Sequence, residues 1–338
     1  MTTAPVDHAQ HAVPVQQPSA AARAAGIVVA ITAVLAIVAL AFALPAARSA
    51  PHDVPIGAAG PQAAGGGVAA MLDQHAPGAF AVTYYPSEAA LADAVRHRDV
   101  YGGIVPPARP GEPAGLLIAS GAGPTVAALL TQLGNQMSRQ IGAPLRIEDL
   151  APPTARDPRG AGLAASALPL TLAGLLPAIA LVLLLPTQHW TRFAAAVVFA
   201  GVAGLTIAAL LRFVLGSVDQ NFWGVAVGLS LGVAAALLFV LGLGSLFGRA
   251  GLAAGNLLAL LVGNPLSGLT SAPQLLPTPW GEIGQWLPQG ATATLLRSTA
   301  AFGGAGASTA IMVASGWALA GAALVLTAAL RDRKVAAG

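Results

Sequence analysis

The stretch AAGIVVAITAVLAIVALAFAL, residues Ala24–Leu44, contains no charged side chain. A helix of this length rises about 30 Å, at 1.5 Å per residue, which matches the hydrocarbon core of a bilayer. The apolar region of a signal peptide has only about 7–15 residues, although the small residues of the following ALPAARSA would suit a cleavage site. We therefore predict an uncleaved transmembrane helix over residues 24–46, with a signal peptide as the alternative.

The whole chain has the composition of an integral membrane protein. Hydrophobic residues make up 56% of its 338 residues and charged residues 9%, with a mean hydropathy of +0.73, whereas about 25% of the residues of a soluble domain are charged. The net charge is +3, but the cations are scattered and form no basic stripe, so we expect no nucleic-acid partner. The absence of cysteine from the sequence excludes disulfides and cysteine-based metal sites.

Two more polar segments flank the first helix. Residues 1–23 are rich in Ala, Gln, Pro and His and show no apolar period, which predicts a disordered tail. In residues 47–161, short apolar runs such as FAVTYY and AGLLIAS predict strands, and SEAALADAVRH and PTVAALLTQLGNQMSRQIG between them predict amphipathic helices. This alternation is typical of a small α/β domain.

The remainder of the chain, residues 162–334, predicts a bundle of five further transmembrane helices. We place them near residues 163–185, 193–215, 222–247, 252–272 and 306–330. The predicted fold class is an α-helical polytopic membrane protein with six transmembrane helices and an inserted α/β domain.

An even number of spans puts both termini on one side of the membrane, and the distribution of cations selects that side. With cytoplasmic termini, the cations on the inside near span ends are Arg23, Arg192, Arg249, Arg331, Arg333 and Lys334. Those on the outside are Arg48, Arg159, Arg212 and Arg297. We therefore predict a multi-pass protein of the cell membrane with cytoplasmic N- and C-termini and an extracytoplasmic α/β domain.

The stretch LLPTPWGEIGQWLPQG, Leu275–Gly290, interrupts the apolar pattern before the last span. Its prolines prevent a continuous helix, its tryptophans suit the headgroup layer, and its glutamate would be costly in hydrocarbon. We predict a re-entrant or interfacial segment at about residues 273–300. An outer gate is one interpretation and an inert amphipathic lid is the other; the gate residues would be Pro277, Trp280, Glu282, Trp286 and Pro288.

Other candidate residues lie within the predicted spans. Gly224, Gly228 and Gly232 repeat at every fourth position, which favours close helix packing over a ligand role. Arg212 could face a transport pathway or extend to the interface, as arginines near span ends commonly do. Asn256 and Asn264 could line a cavity or bond to a neighbouring helix, and the sequence leaves both open.

We predict no enzymatic site. The only lysine is Lys334, so no Walker loop is present and the chain cannot hydrolyse ATP by itself. GLSLG, Gly228–Gly232, matches the pattern of a serine nucleophile, but the last histidine is His189, at the opposite end of an earlier predicted span. A serine without a base is a poor nucleophile, and the histidines show no metal-ligand spacing. We expect no catalytic, cofactor-binding or metal-binding residues.

Several stretches carry a resemblance to a known family. In the α/β segment these are DVPIGAAGP, SEAALADAV and VYGGIVPPA, and before the last span it is GNPLSGLTSAPQLLPTPWGEIGQWLPQGATATLLR. Together with the order of the segments, they resemble the ABC type-2 exporter permeases, in particular the bacterial branch that includes phage-infection-protein-like membrane proteins. The resemblance covers about residues 24–332.

The resemblance implies a permease subunit that exports a hydrophobic or amphipathic substrate, with a separate ABC ATPase subunit supplying the energy. It also implies a dimer, formed with a second copy or with a related permease. The predicted disordered tail and the short loop PTQHWTR offer an ATPase little surface. The alternative is therefore a non-transporting membrane scaffold or receptor whose extracytoplasmic domain binds an envelope partner.

Overall fold

A computed structural model describes residues 19–60, 62–107, 109, 111–142 and 144–337. The chain divides into two units, residues 1–41 and residues 42–338. Helix α1, Ala20–Ala47, contains the predicted first span and begins slightly before it, and none of its residues is buried. Residues 1–18 of the predicted tail lie outside the described residues.

The predicted α/β segment contains a five-stranded sheet. Its strands are β1 (Val54–Ala59), β2 (Phe80–Tyr85), β3 (Gly102–Val105), β4 (Ala114–Ile118) and β5 (Leu145–Asp149). Their order is β2-β1-β3-β4-β5, and every neighbouring pair is parallel except β3 and β4. Three helices connect the parallel strands: α2 (Gln62–His75), α3 (Glu88–His97) and α4 (Pro124–Ile141).

The three helices cover both faces of this sheet. Val68 of α2 and Leu130 of α4 share one buried cluster with alternate residues of β1, whereas Leu91 of α3 lies in a cluster on the other face. Leu91 sits directly over two sheet glycines, Gly57 and Gly103, and a Cβ at either position would collide with it. The result is a three-layer α/β/α domain.

The second half of the chain is mostly helical. Its helices are α5 (Ala161–Ala165), α6 (Ala167–Leu184), α7 (His189–Ala209), α8 (Phe222–Leu258), α9 (Trp280–Gln285), α10 (Pro288–Ala301) and α11 (Ser308–Ala337). π-Helical turns extend α7 through Leu210–Val214 and α8 through Ala259–Gly263, and a 3₁₀ turn covers Pro273–Leu275. With α1, five described helical segments are long and apolar enough to span a membrane. The structure therefore supports a multi-pass membrane protein with a small α/β part.

Gly248 divides α8 into two arms. Its φ of 62° and ψ of −140° favour glycine, because a Cβ would be strained there. A first arm, residues 222–247, is followed by a return arm, residues 249–263, that folds back along it. Close approach is possible because Gly251 packs on the main chain of Leu243.

The prediction of six separate spans is not confirmed. Residues 222–263 form one of the five candidate segments, and the predicted helix over residues 252–272 is wrong beyond Gly263, where turns and irregular backbone begin. The return arm would measure only about 22 Å at 1.5 Å per residue, less than a bilayer core of about 30 Å. Pro265 lacks the N–H needed to continue a helix, and the backbone that follows the return arm is irregular.

The first arm of α8 forms the centre of the bundle. In the α8 segment, 67% of the apolar stretch is buried, compared with 28–33% of the apolar stretches in the segments of α6, α7 and α11. Each of these neighbours approaches α8 through a glycine, and small residues allow such close contact between helices in membranes. The contacting pairs are Gly174 with Ala236, Gly204 with Ser230, and Gly321 with Leu238.

The contact of α11 with α8 yields a matched pair of substitutions. A Cβ at Gly321 would collide with the main chain of Leu238 and Phe239, whereas a Cβ at Gly316 on the same helix would meet nothing within 4 Å. We expect Gly321→Ala to destabilise the protein by about 1–3 kcal/mol through overpacking. Gly316→Ala should be neutral or stabilising by up to about 1 kcal/mol, because alanine favours helix. Thermal unfolding in detergent measures both, and equal midpoints for the two variants would contradict this packing.

Candidate functional site

The α/β domain is attached to one end of the helix bundle through the segment between the return arm and α10. We call this the proximal end; it contains Ser217, Asn221 and Ala301, and the opposite, distal end contains Leu185 and Gly248. The main chain leading into β1 is held there, since Ala50 N donates to Leu275 O at 3.0 Å and His52 N donates to Gln274 O at 2.9 Å. Leu275 and Ala272 also belong to the buried cluster under α2 and α4. The segment thus completes the core of the α/β domain.

Side chains that follow α3 form a second attachment. Arg98 donates to the hydroxyl of Ser298 and to the carbonyl of Thr294, in α10. Its guanidinium also lies 5.3 Å from the ring centre of Phe302, within the range of a cation–π contact. Tyr101 OH donates to Gln274 Oε1 at 2.8 Å. These contacts join the α/β domain to both ends of residues 273–300.

A cavity of about 640 Å³ lies between the α/β domain and the proximal end. On the domain side it is bounded by the carboxyl ends of β4 and β5 and by the first turn of α4, a usual position for ligands in α/β folds. On the bundle side it is bounded by the starts of α5 and α8 and by the end of α10. Its polar lining residues are Ser120, Thr125, Thr154, Asp157, Arg159, Ser217, Asp219, Gln220, Asn221, Thr270, Ser271, Arg297 and Thr299. Its volume is that of a typical small-molecule site.

Arg297 links the cavity to the irregular stretch that follows the return arm. Its Nη2 donates to the carbonyls of Gly268 and Leu269, and Gln285 Nε2 donates to Ser267 O at 3.2 Å. Irregular backbone at membrane depth requires such partners inside the protein, because lipid supplies none. Side chains of α9 and α10 thus stabilise the irregular backbone that follows the return arm.

The charge of Arg297 is buried without a carboxylate partner. The side chain is only 6% exposed, and among the described residues no carboxylate lies within 4.0 Å of it. Burial lowers its pKa to about 10, with Tyr101 opposing and Arg98 adding to this effect. The guanidinium is therefore still protonated at neutral pH.

Asp157 connects the linker after β5 to the loop after α7. Its carboxylate accepts hydrogen bonds from Ser217 Oγ at 2.6 Å and from Ala161 N and Gly162 N at 2.9 Å each. Burial alone would raise its pKa, but the three hydrogen bonds outweigh burial and lower the pKa below the ordinary value. Asp157 therefore caps the start of α5 as an anion.

The predicted gate residues lie away from the main cavity. Trp280, Glu282 and Trp286 are exposed on α9 and the turn after it, with the two tryptophans 48% and 66% exposed. Pro277 is half-buried, and Pro288 is buried at the start of α10. The residues that line the cavity include none of these five. The outer-gate interpretation stays a prediction.

The three predicted glycines do not themselves line the main cavity. Gly224 packs against the side chain at the N-cap of α8, and Gly232 packs tightly against Thr292 of α10. A Cβ at Gly228 would meet Leu295 at 3.6 Å, an ordinary distance. Gly232 is therefore the position at which α8 and α10 most need a small residue.

Arg212, Asn256 and Asn264 are not brought together. Arg212 is half-buried at the end of α7, 6.0 Å from the ring centre of Phe213. Asn256 Nδ2 donates to Leu252 O of its own helix at 2.7 Å. Asn264 lines a small cavity of about 20 Å³ between α6, α8 and α10.

The serine of GLSLG has a structural partner. Ser230 Oγ donates to Ala226 O, one turn earlier, at 2.8 Å, and the residue packs against Gly204. Among the described residues, no group of three or more His, Asp or Glu side chains could hold a metal ion.

Sequence reasoning missed Arg297 and Asp157 as residues of the site. The positive-inside argument treats Arg297 only as a cation outside the membrane. A lone arginine in the run ATATLLRSTAAF is nevertheless a signal, because a charge among apolar residues usually has a specific partner. Asp157 gave no such signal, since its partner Ser217 is distant in sequence. Only the folded chain shows that both border one cavity.

The depressed pKa of Asp157 predicts a pH dependence. A carboxyl group with a lower pKa in the folded state stabilises the fold above its unfolded pKa, and this contribution is lost as the pH falls through the folded pKa. We expect the thermal midpoint of the wild type to fall below pH 3.8. Asp157→Asn should start lower at pH 7 and lose less on acidification. Asp219→Asn, at an exposed position of the same cavity, is the control; an identical pH profile for Asp157→Asn and the wild type would contradict the assignment.

No family model, no curated protein and no solved structure matches this chain. The likeness to exporter permeases therefore depends on the sequence stretches quoted above.

Proposed function

We propose that the chain is the permease subunit of an ABC type-2-like exporter, which moves a hydrophobic or amphipathic substrate and is powered by a separate ATPase. The observation that carries the proposal is the cavity of about 640 Å³ between the α/β domain and the proximal end of the bundle. It has both polar walls and apolar walls formed by helix ends, as an amphipathic ligand requires. The cavity would be the outer end of the pathway.

The irregular backbone at residues 264–272 supports a transport function, because in the proposed arrangement it interrupts a crossing of the membrane. Transporters commonly place their sites where transmembrane helices are broken, because free backbone groups and helix ends are available there. Here the helix of the return arm ends at Gly263, and the irregular residues that follow extend to Ala272 at the cavity. Two cavities between this region and α8 measure only about 20 and 10 Å³. The pathway would therefore be closed along α8 in this conformation.

In the proposed orientation the α/β domain is extracytoplasmic, and the distal end of the bundle and both termini are cytoplasmic in the cell membrane. The functional unit would be a homodimer or a heterodimer with a related permease. ATP-driven motion at the distal end would open the bundle along α8.

The second candidate is a non-transporting scaffold or receptor whose α/β domain binds an envelope partner. It is favoured by the small distal surface. The reversal at Gly248 is tight, and buried Arg192 and His189 hold the neighbouring turns by contacts with Ser245 and Asp332. A surface of this size and rigidity would give an ATPase little to move.

Orientation can be tested with single cysteines, because the chain has none of its own. Thr83 on β2 and Gln188 at the distal turn are both exposed. In intact cells, an impermeant thiol reagent should label Thr83→Cys, whereas Gln188→Cys should react only after the membrane is permeabilised. The reverse pattern would overturn the proposed orientation.

Coupling can be tested by purifying the tagged chain in mild detergent. We expect an ATPase subunit, identified by its Walker sequence and by ATP hydrolysis, to co-purify. Thr187→Arg in the exposed distal turn should reduce its yield, whereas Thr83→Arg in the exposed domain surface should not. Purification without any ATPase, from cells that encode one beside this chain, would count against the exporter and favour the scaffold.

A further inference from the structure

Arg297 has unused hydrogen-bonding capacity at a cavity wall. A guanidinium carries five N–H donors, and the described contacts of Arg297 use only Nη2, which donates to Gly268 O and Leu269 O. The residue lines the main cavity and also a smaller one of about 180 Å³ beside Tyr101. A buried cation that lacks a counter-charge is costly, and a bound anion would supply that charge.

The first turn of α4 brings a second positive group to the same cavity. Pro124 and Thr125 line it, and the N-cap, Gly123, has no side chain to accept hydrogen bonds from the first turn. The N–H groups at the start of this 18-residue helix therefore favour an anion, through both hydrogen bonding and the helix dipole. Arg297 and α4 approach the cavity from the bundle and from the domain, respectively.

The acidic residues at the cavity do not neutralise Arg297. Asp157 is engaged by Ser217 and by the start of α5. Asp219 is exposed, and so is Arg159, which lines the same cavity. The exposed charges of Asp219 and Arg159 are opposite in sign, whereas the buried charge of Arg297 has no carboxylate partner among the described residues.

The position of the cavity indicates where such an anion would come from. It lies where the candidate spans begin or end, beside Ala161, Ser217 and Asn221, and this is the level of lipid headgroups on a membrane-spanning bundle. Hydroxyl and amide side chains such as Ser271 and Asn221 line the cavity and suit the oxygen atoms of a phosphate ester.

We propose that this cavity binds the phosphate group of an anionic amphipathic molecule, with Arg297 and the first turn of α4 as its positive groups. This inference rests on the proposed function in one respect: it takes the cavity as the ligand site of the exporter. It defines the substrate class as phosphate-bearing. The phosphate could belong to a lipid headgroup or to a soluble phosphate ester.

A cysteine at the cavity can report binding in the full chain. Thr270 is exposed and lines the cavity, and Thr83 is exposed on the far edge of the sheet. The rate of thiol labelling of Thr270→Cys is measured in detergent with phosphatidylglycerol, with neutral diacylglycerol and with glycerol 1-phosphate. We expect phosphatidylglycerol to slow labelling at position 270 at least about fivefold, corresponding to roughly 1 kcal/mol, and to leave Thr83→Cys unaffected.

Substitutions then test the role of Arg297. Arg297→Gln should abolish the protection at position 270, and Arg297→Lys should retain part of it because the charge is kept. Arg156→Gln is the matched control, since Arg156 is exposed and close in sequence to the lining residues but is not one of them. In the Arg156→Gln variant, phosphatidylglycerol should slow thiol labelling at position 270 as much as it does without this substitution.

Each outcome decides the proposal. Full protection in Arg297→Gln, or equal protection by diacylglycerol in the wild type, would overturn it; the second comparison stands even if Arg297→Gln does not fold. Protection by glycerol 1-phosphate as strong as that by phosphatidylglycerol would support the phosphate site and assign it to a soluble ester. Protection at position 270 without a co-purifying ATPase would support the phosphate site and contradict the exporter proposal. A co-purifying ATPase without protection would support the exporter proposal and contradict the phosphate site.

Discussion

The structure depends on how the irregular backbone that follows the return arm satisfies its hydrogen bonds. After the return arm ends at Gly263, the chain continues as irregular backbone to Ala272 within the bundle. Carbonyl groups in such a position need partners from the protein, because lipid offers none. Arg297 and Gln285 supply them, which explains why a charged residue and a polar one are held between apolar helices.

The same requirement makes α8 the centre of the bundle. The irregular stretch and the short helix α10 need a continuous helix to pack on, and the first arm of α8 supplies it. Since lipid provides no hydrophobic drive between helices, their association depends on close packing. Glycines provide that closeness, at Gly204 opposite Ser230, at Gly232 opposite Thr292, and at Gly321.

The cavity results from these two features together. The irregular stretch and the end of α10 rise out of the bundle and complete the core of the α/β domain through Ala272 and Leu275. The domain is thereby held above the helix ends, with space left between them. One arginine, Arg297, then both supports the irregular backbone that follows the return arm and presents its charge to that space.

The sequence by itself determined the membrane class, the α/β character of residues 47–161 and the break before the last span, because hydropathy, strand-and-helix alternation and proline act locally. It also marked the helix starts at Ser87 and Pro124, which the structure contains. It could not determine that the span expected at residues 252–272 loses its helix after Gly263, since an equally apolar stretch can be helical or irregular depending on the partners around it. The cavity and the roles of Arg297 and Asp157 were decided only by the tertiary structure, because each depends on groups far apart in the chain whose burial and pairing arise when the α/β domain and the bundle pack together.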